Sequence, residues 1–117
     1  MKYVLLVFQG TTPLPGTDRW KALPAAEQKR IYADYAELNG TPGVTPGLPL
    51  GLPDAARTVQ VQDGKVSVKN GPHLAEGVGG FSVYEGETME AAIALAARIP
   101  AARLGGAVEI RPAETYW

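Results

Sequence analysis

Residues 3–8 of the chain, Tyr3-Val4-Leu5-Leu6-Val7-Phe8, are apolar at odd and even positions alike. Successive side chains of a strand point to opposite faces, so this run predicts a central strand covered on both sides. The stretch from Gly10 to Leu23 carries Pro13, Pro15 and Gly16, and is long for a loop in a compact domain. With Asp18, Arg19 and Trp20 in it, the loop is expected to fold over something, anchored by Trp20. Pro24 suits a first helical turn, and from there Ile31, Tyr35 and Leu38 recur at i, i+4 and i+7. Glu27, Arg30, Asp34 and Glu37 occupy another face, which predicts an amphipathic surface helix. Leu23 supplies no side-chain cap, and Asn39-Gly40 is the expected end, with glycine in left-handed geometry. Thr41 to Pro53 holds Pro42, Pro46, Pro49 and Pro53, leaving room for at most a short edge strand around Leu48 to Leu52.

Thr58-Val59-Gln60-Val61-Gln62 alternates, Asp63-Gly64 is a two-residue hairpin signal, and Lys65-Val66-Ser67-Val68-Lys69 alternates back. A further strand is predicted at Phe81-Ser82-Val83-Tyr84. Glu87-Thr88-Met89-Glu90 then supplies a cap and an acidic first turn for an alanine-rich helix, Met89 to Ile99, with Arg98 near its end and Pro100 stopping it. The small side chains of that helix let it approach a sheet closely. Ala107 to Arg111 is a last alternating strand before Pro112. The order predicts an α+β fold: a split βαβ arrangement with both helices on one face of a mostly antiparallel sheet. Val59, Val61, Val66, Val68, Phe81 and Val83 are expected under the helices, together with Val108 and Ile110. The opposite face would carry Thr58, Gln60, Ser67, Ser82 and Tyr84, together with Glu109 and Arg111. A second sheet is expected to cover it, giving a homodimer through the sheet face; burying a few hundred Å² at roughly 25 cal/mol per Å² contributes on the order of 10 kcal/mol before ordering costs.

Composition narrows the function classes. The 117 residues suit one domain spanning the whole chain, and 45% hydrophobic with 20% charged residues is ordinary for a soluble protein. A net charge of -1 with no basic block leaves no electrostatic footprint for nucleic acid. The apolar opening is too short for a membrane span, and Gln9-Gly10-Thr11-Thr12 is no cleavage-site pattern, so a cytoplasmic location is expected. Absence of cysteine removes disulfides, thiolate nucleophiles and zinc-thiolate sites. With one histidine, a histidine-rich metal site cannot form in one subunit, and chemistry without metal or cofactor is favoured. Gly77 to Gly80 precedes a strand and not a helix, so it does not resemble a phosphate-cradling loop.

That single histidine, His73, ends the turn Asn70-Gly71-Pro72, shortly before Gly79-Gly80-Phe81. An imidazole exchanges protons near neutral pH, and a stiff loop would hold it in place. His73 is therefore the candidate proton carrier, with Glu76 or Glu109 fixing its tautomer; the competing reading is a surface-turn histidine. Glu109 and Arg111 would point inward in an associated pair of sheets, where each needs a partner on the other's strand or in Arg57. A carboxylate and a guanidinium in a concavity could also bind a small anionic or phenolic ligand. Tyr3, Tyr35 and Tyr84 read as core or interface aromatics, Asp18 with Arg19 as a solvated loop pair, and Tyr116-Trp117 as a tail that packs on a neighbouring subunit.

The opening Met1-Lys2-Tyr3-Val4-Leu5-Leu6, the Thr58-Val59-Gln60-Val61 hairpin, Asn70-Gly71-Pro72-His73 and Gly79-Gly80-Phe81 form an ordered set of motifs. Ala96-Ala97-Arg98-Ile99-Pro100 and Val108-Glu109-Ile110-Arg111-Pro112 complete it. Together they resemble the YCII-related family in its DGPF-domain branch, through nearly the whole chain. The resemblance implies ferredoxin-like subunits paired into a dimeric α/β barrel, in small bacterial cytoplasmic proteins of mostly unassigned activity. It also implies a histidine-aspartate pair as the active site proposed in the wider family, with some relatives linked to eliminations on chlorinated aromatic rings. Where the branch has Asp-Gly-Pro-Phe, this chain has Asn70-Gly71-Pro72-His73, and the segment up to Gly79 is shorter than typical. Asn70 can orient a ligand by hydrogen bonds but cannot act as a general base.

Two functional expectations follow. In the first, a homodimer holds an unknown small-molecule ligand between its sheets and performs cofactor-free acid/base chemistry of lyase or isomerase type. His73 is then the proton carrier, and Asn70, Glu76, Glu109 and Arg111 are the ligand contacts. The second is a non-catalytic ligand-binding or interaction module, which bacterial analogy links to transcription regulation.

Overall fold

A computed structural model of the chain describes residues 1–74 and 77–116. The first apolar run forms β1 (Lys2–Phe8), and α1 (Asp18–Lys21) and α2 (Ala25–Asn39) follow. The short β2 (Val44–Pro46) and a 3₁₀ turn at Pro53–Ala55 lead into β3 (Arg57–Gln62) and β4 (Lys65–Asn70). The chain then forms β5 (Val78–Glu85), α3 (Met89–Ala96), α4 (Pro100–Arg103) and β6 (Ala107–Pro112).

Four strands make one antiparallel sheet in the order β2-β5-β1-β6. The chain passes from β1 through α2 to the edge strand β2, leaving a place that β5 fills; from β5 it returns through α3 and α4 to β6 on the far side of β1. The architecture is α+β with an antiparallel sheet and helices, compatible with a ferredoxin-like fold. Its core is the packing of Leu5 and Val7 from β1 against Leu38 of α2, Leu95 and Ala96 of α3, and Ile99. Ala92 and Ala101 are fully buried, so the small side chains bring the helices close to the sheet as the sequence predicts. Trp20 is also buried, its ring edge-on to Tyr32 at 5.2 Å, and anchors the long first loop.

Local chemistry sets most element ends. Thr88 caps α3 by accepting from the Ala91 N–H at 3.2 Å. Asp63 and Gly64, at φ 51° and 75°, make the tight turn between β3 and β4 that the pair Asp-Gly predicts. Two ends differ from expectation. Gly40 closes α2 at φ -87°, in right-handed geometry, and the left-handed residue is Gly43 at φ 87°. α3 ends at Ala96, three residues before the expected Ile99, and Pro100 starts α4, because its ring suits a first helical turn.

Three placements are corrected. The edge strand is β2 at Val44–Pro46, although residues 47–50 still follow β5 through Gly47 N–H to Phe81 C=O at 2.9 Å and Leu50 N–H to Gly79 C=O at 3.2 Å. The hairpin β3–β4 is a separate two-stranded sheet, and Val59, Val61, Val66 and Val68 are 60–68% exposed and not under the helices. β5 has the opposite phase from that expected. Ser82 lies opposite Leu5, and Tyr84 opposite Tyr3, on the helix face; Phe81 and Val83 lie opposite Leu6 and Val4 on the open face. Ser82 is accordingly buried, and the Tyr3 and Tyr84 rings stack at 6.4 Å.

Candidate functional site

The open face of the sheet is apolar at its centre and charged at one side. Val4, Leu6 and Phe8 of β1 share it with Phe81 and Val83 of β5, while β6 contributes Glu109 opposite Leu6 and Arg111 opposite Val4. Val108 and Ile110 turn to the helix core, and strict alternation sends Glu109 and Arg111 the other way, as the sequence predicts.

A cleft of about 1100 Å³ lies against this face. Leu6 and Phe8 line it from the sheet, Glu109 and Arg111 from β6, and His73 and Leu74 from the turn after β4. The structure thus brings together three of the sequence-predicted residues, His73, Glu109 and Arg111. Asn70 stands outside the lining, at the end of β4 opposite Arg57. Glu76 lies outside the described residues, as does Trp117 of the aromatic tail.

The turn that presents His73 is fastened at its start, through both the N–H and the C=O of Gly71. Gly71 adopts φ 98°, a conformation that favours glycine, and its N–H donates to Ala56 C=O at 2.9 Å. The Thr58 hydroxyl donates to Gly71 C=O at 2.9 Å. Beyond this turn the His73 ring is exposed and makes no hydrogen bond or ion pair among the described residues.

Arg19, Asp18 and Arg57 also line the cleft and were not singled out as site residues by sequence reasoning. Thr17 caps α1 by accepting from Trp20 N–H, which fixes Asp18 and Arg19 at the rim, and Arg19 Nη1 donates to Thr11 C=O at 3.1 Å. Arg57 Nη1 donates to Ala56 C=O at 2.8 Å. Their signal in the sequence was only an unusually long loop and a basic residue before a strand. Arg111 Nε donates to Glu109 Oε2 at 2.7 Å, a pair on one strand whose side chains are 71% and 46% exposed. Such an exposed pair is held weakly against solvent and can open to a ligand. With guanidinium groups at Arg19, Arg57 and Arg111 against carboxylates at Asp18 and Glu109, the described cleft favours a negatively charged or strongly accepting guest.

No helix among the described residues is long and apolar enough to cross a membrane. No curated protein matches the chain. The model of the YCII-related domain matches residues 1–114, nearly the whole length, and the chain therefore belongs to the YCII-related family.

Proposed function

We propose that this protein binds a small anionic or phenolic molecule in the open-face cleft, and that the cleft is completed when a second copy covers the sheet in a dimeric α/β barrel. Within its family we place the chain in the DGPF-domain branch, on Asn70-Gly71-Pro72-His73 and the motifs around it. The observation that carries the reading is the meeting of His73, Arg57, Glu109 and Arg111 around one concavity with an apolar floor. Guanidinium groups bind a carboxylate or phenolate oxygen by charge-assisted hydrogen bonds, and the Leu6 and Phe8 side chains pack against the guest's ring.

In the catalytic form of this reading His73 carries a proton to or from the bound molecule without a cofactor, and Glu76 or Glu109 orients its ring. The second reading, a binding module without turnover, is favoured by the absence of any partner fixing the His73 ring among the described residues.

Thermal unfolding in the presence of benzoate tests the binding claim. Ligand at about 100 times its dissociation constant stabilises by about 2.7 kcal/mol, which reads as a clear rise in Tm. We expect that rise in the parent protein and its loss in Arg111→Ala with Arg57→Ala. Equal shifts in parent and variant, or none in either, would remove the cleft as a binding site. His73→Ala then separates the two forms: retained binding with lost turnover supports His73 as the proton carrier, whereas a parent protein that binds but turns no ligand over is the module.

A further inference from the structure

A second cavity lies on the other side of the sheet, where the fold should be packed solid. Its volume is about 470 Å³, between β5, α2 and the proline-rich strap of residues 46–52. Val7, Tyr35, Leu38 and Ile99 form its inner walls, and Leu48 and Leu50, both exposed to solvent, border its mouth from the strap. None of its lining residues is an Asp, Glu, Lys, Arg or His, in contrast to the cleft on the open face.

Two features show that this space is built and not a packing accident. The first is Gly80, opposite Val7 on the helix face of β5. Its φ lies outside the positive range, so its backbone accepts any residue, yet a Cβ there would meet nothing within 4 Å. A strand position under helices, where a β-branched side chain would pack, has been left without one. The neighbouring glycines differ: a Cβ at Gly47 would lie 2.5 Å from Phe81 C=O, and one at Gly79 would strike Gln9 Cγ. Those two permit close approach, whereas Gly80 leaves a void.

The second feature is polar. Ser82 is 94% buried, being 6% exposed, and its Oγ has no hydrogen-bond partner; Gln9 Oε1 is buried and equally without one. Both residues line the cavity. A buried polar atom left unpaired costs about 1–3 kcal/mol, so two of them just behind the wall of one apolar space favour a group that satisfies them once their side chains turn toward it.

We propose that this chamber is a second binding site, for a neutral and largely apolar small molecule that carries a hydrogen-bond donor. The apolar body fills the space that Gly80 leaves, and its N–H or O–H donates to Gln9 Oε1 or to Ser82 Oγ after a side-chain rotation brings that oxygen to the cavity wall. A charged group is disfavoured because nothing in the lining would pair with it. The chamber shares Gln9, Leu50 and Gly79 with the open-face cleft, so the two sites abut while differing in the chemistry they accept.

The test uses N-phenylnaphthylamine, a neutral fluorophore with one N–H that brightens in apolar surroundings, and its sulfonated anionic analogue. The parent protein is expected to bind the neutral probe saturably, one per chain, and to prefer it to the anion. Gly80→Ala should weaken binding and Gly80→Val abolish it, while each raises Tm by filling the void. Ser82→Ala should weaken binding about tenfold. His73→Ala and Arg111→Ala should leave it unchanged, which separates failure of this site from failure of the open-face cleft. Gly80→Ala adds only a methyl group in open space, so it tests the idea even where the valine variant does not fold. Unsaturable probe binding, equal affinity in parent and Gly80→Ala, or a crystal structure grown with the probe in which only water fills the chamber would overturn the proposal.

Discussion

At the scale of single residues, burial and charge are assigned by which face of a strand a side chain occupies. Tyr35 reaches in from α2 to the apolar chamber, and burial raises its phenol above the ordinary value of 10.0. In the unfolded chain the phenol ionises at that ordinary value, while the folded protein holds the proton longer. Tyr35 therefore contributes a stabilisation that is fully present below pH 10.0 and is lost as pH rises through the raised folded value. Urea denaturation at increasing alkaline pH should show the parent losing stability more steeply than Tyr35→Phe. Glu109 and Arg111 were legible in the sequence because they alternate with Val108 and Ile110, and the hydrophobic pair points to the core. Ser82 was not legible. A lone serine between Phe81 and Val83 reads as the solvent side of a strand, whereas the structure buries it and turns the two hydrophobic neighbours outward.

At the scale of elements, the same misreading has a general cause. Alternation fixes the period of a strand but not its phase, and the phase expected of β5 rests on the rule that apolar residues face the helices. That rule fails where the other face is apolar as well, as it is around Val4, Leu6 and Phe81. The hairpin β3–β4 was placed correctly in the chain by Asp63-Gly64, but nothing in its alternation says which surface its valines meet. The chamber was invisible for a different reason: it is created by a missing side chain at Gly80 and by a strap whose path along β5 follows from backbone hydrogen bonds. The helices, by contrast, are joined by an identifiable side chain. Arg103 of α4 donates to Glu27 at 2.9 Å and to Asp34 at 3.2 Å, tying α4 to α2, and these bonds raise its pKa. Because the three side chains are 26–30% exposed, Arg103→Ala should cost about 1 kcal/mol, measured by urea denaturation, and the loss should shrink at high salt.

At the scale of the whole molecule, the chain is broader and flatter than a lone compact domain. Its radius of gyration is 16.1 Å and its extents are 50 × 39 × 19 Å, against about 13 Å expected for a compact chain of this length. The shortest dimension is that of one sheet and one helix layer. Half a sandwich of this kind leaves Val4, Leu6, Phe8, Phe81 and Val83 on its uncovered side, an apolar face that a second sheet would complete. In the proposed dimer a second copy of the chain would supply such a sheet, and in doing so would roof the cleft where His73, Arg57 and Arg111 meet. The most direct measurement is the mass in dilute solution by light scattering, for the parent and for Val4→Lys, which places a charge at the centre of the open face. The account predicts twice the chain mass of 12.4 kDa for the parent and a folded single chain for the variant. A parent protein of 12.4 kDa at micromolar concentration, or a Val4→Lys variant that still pairs, would contradict it.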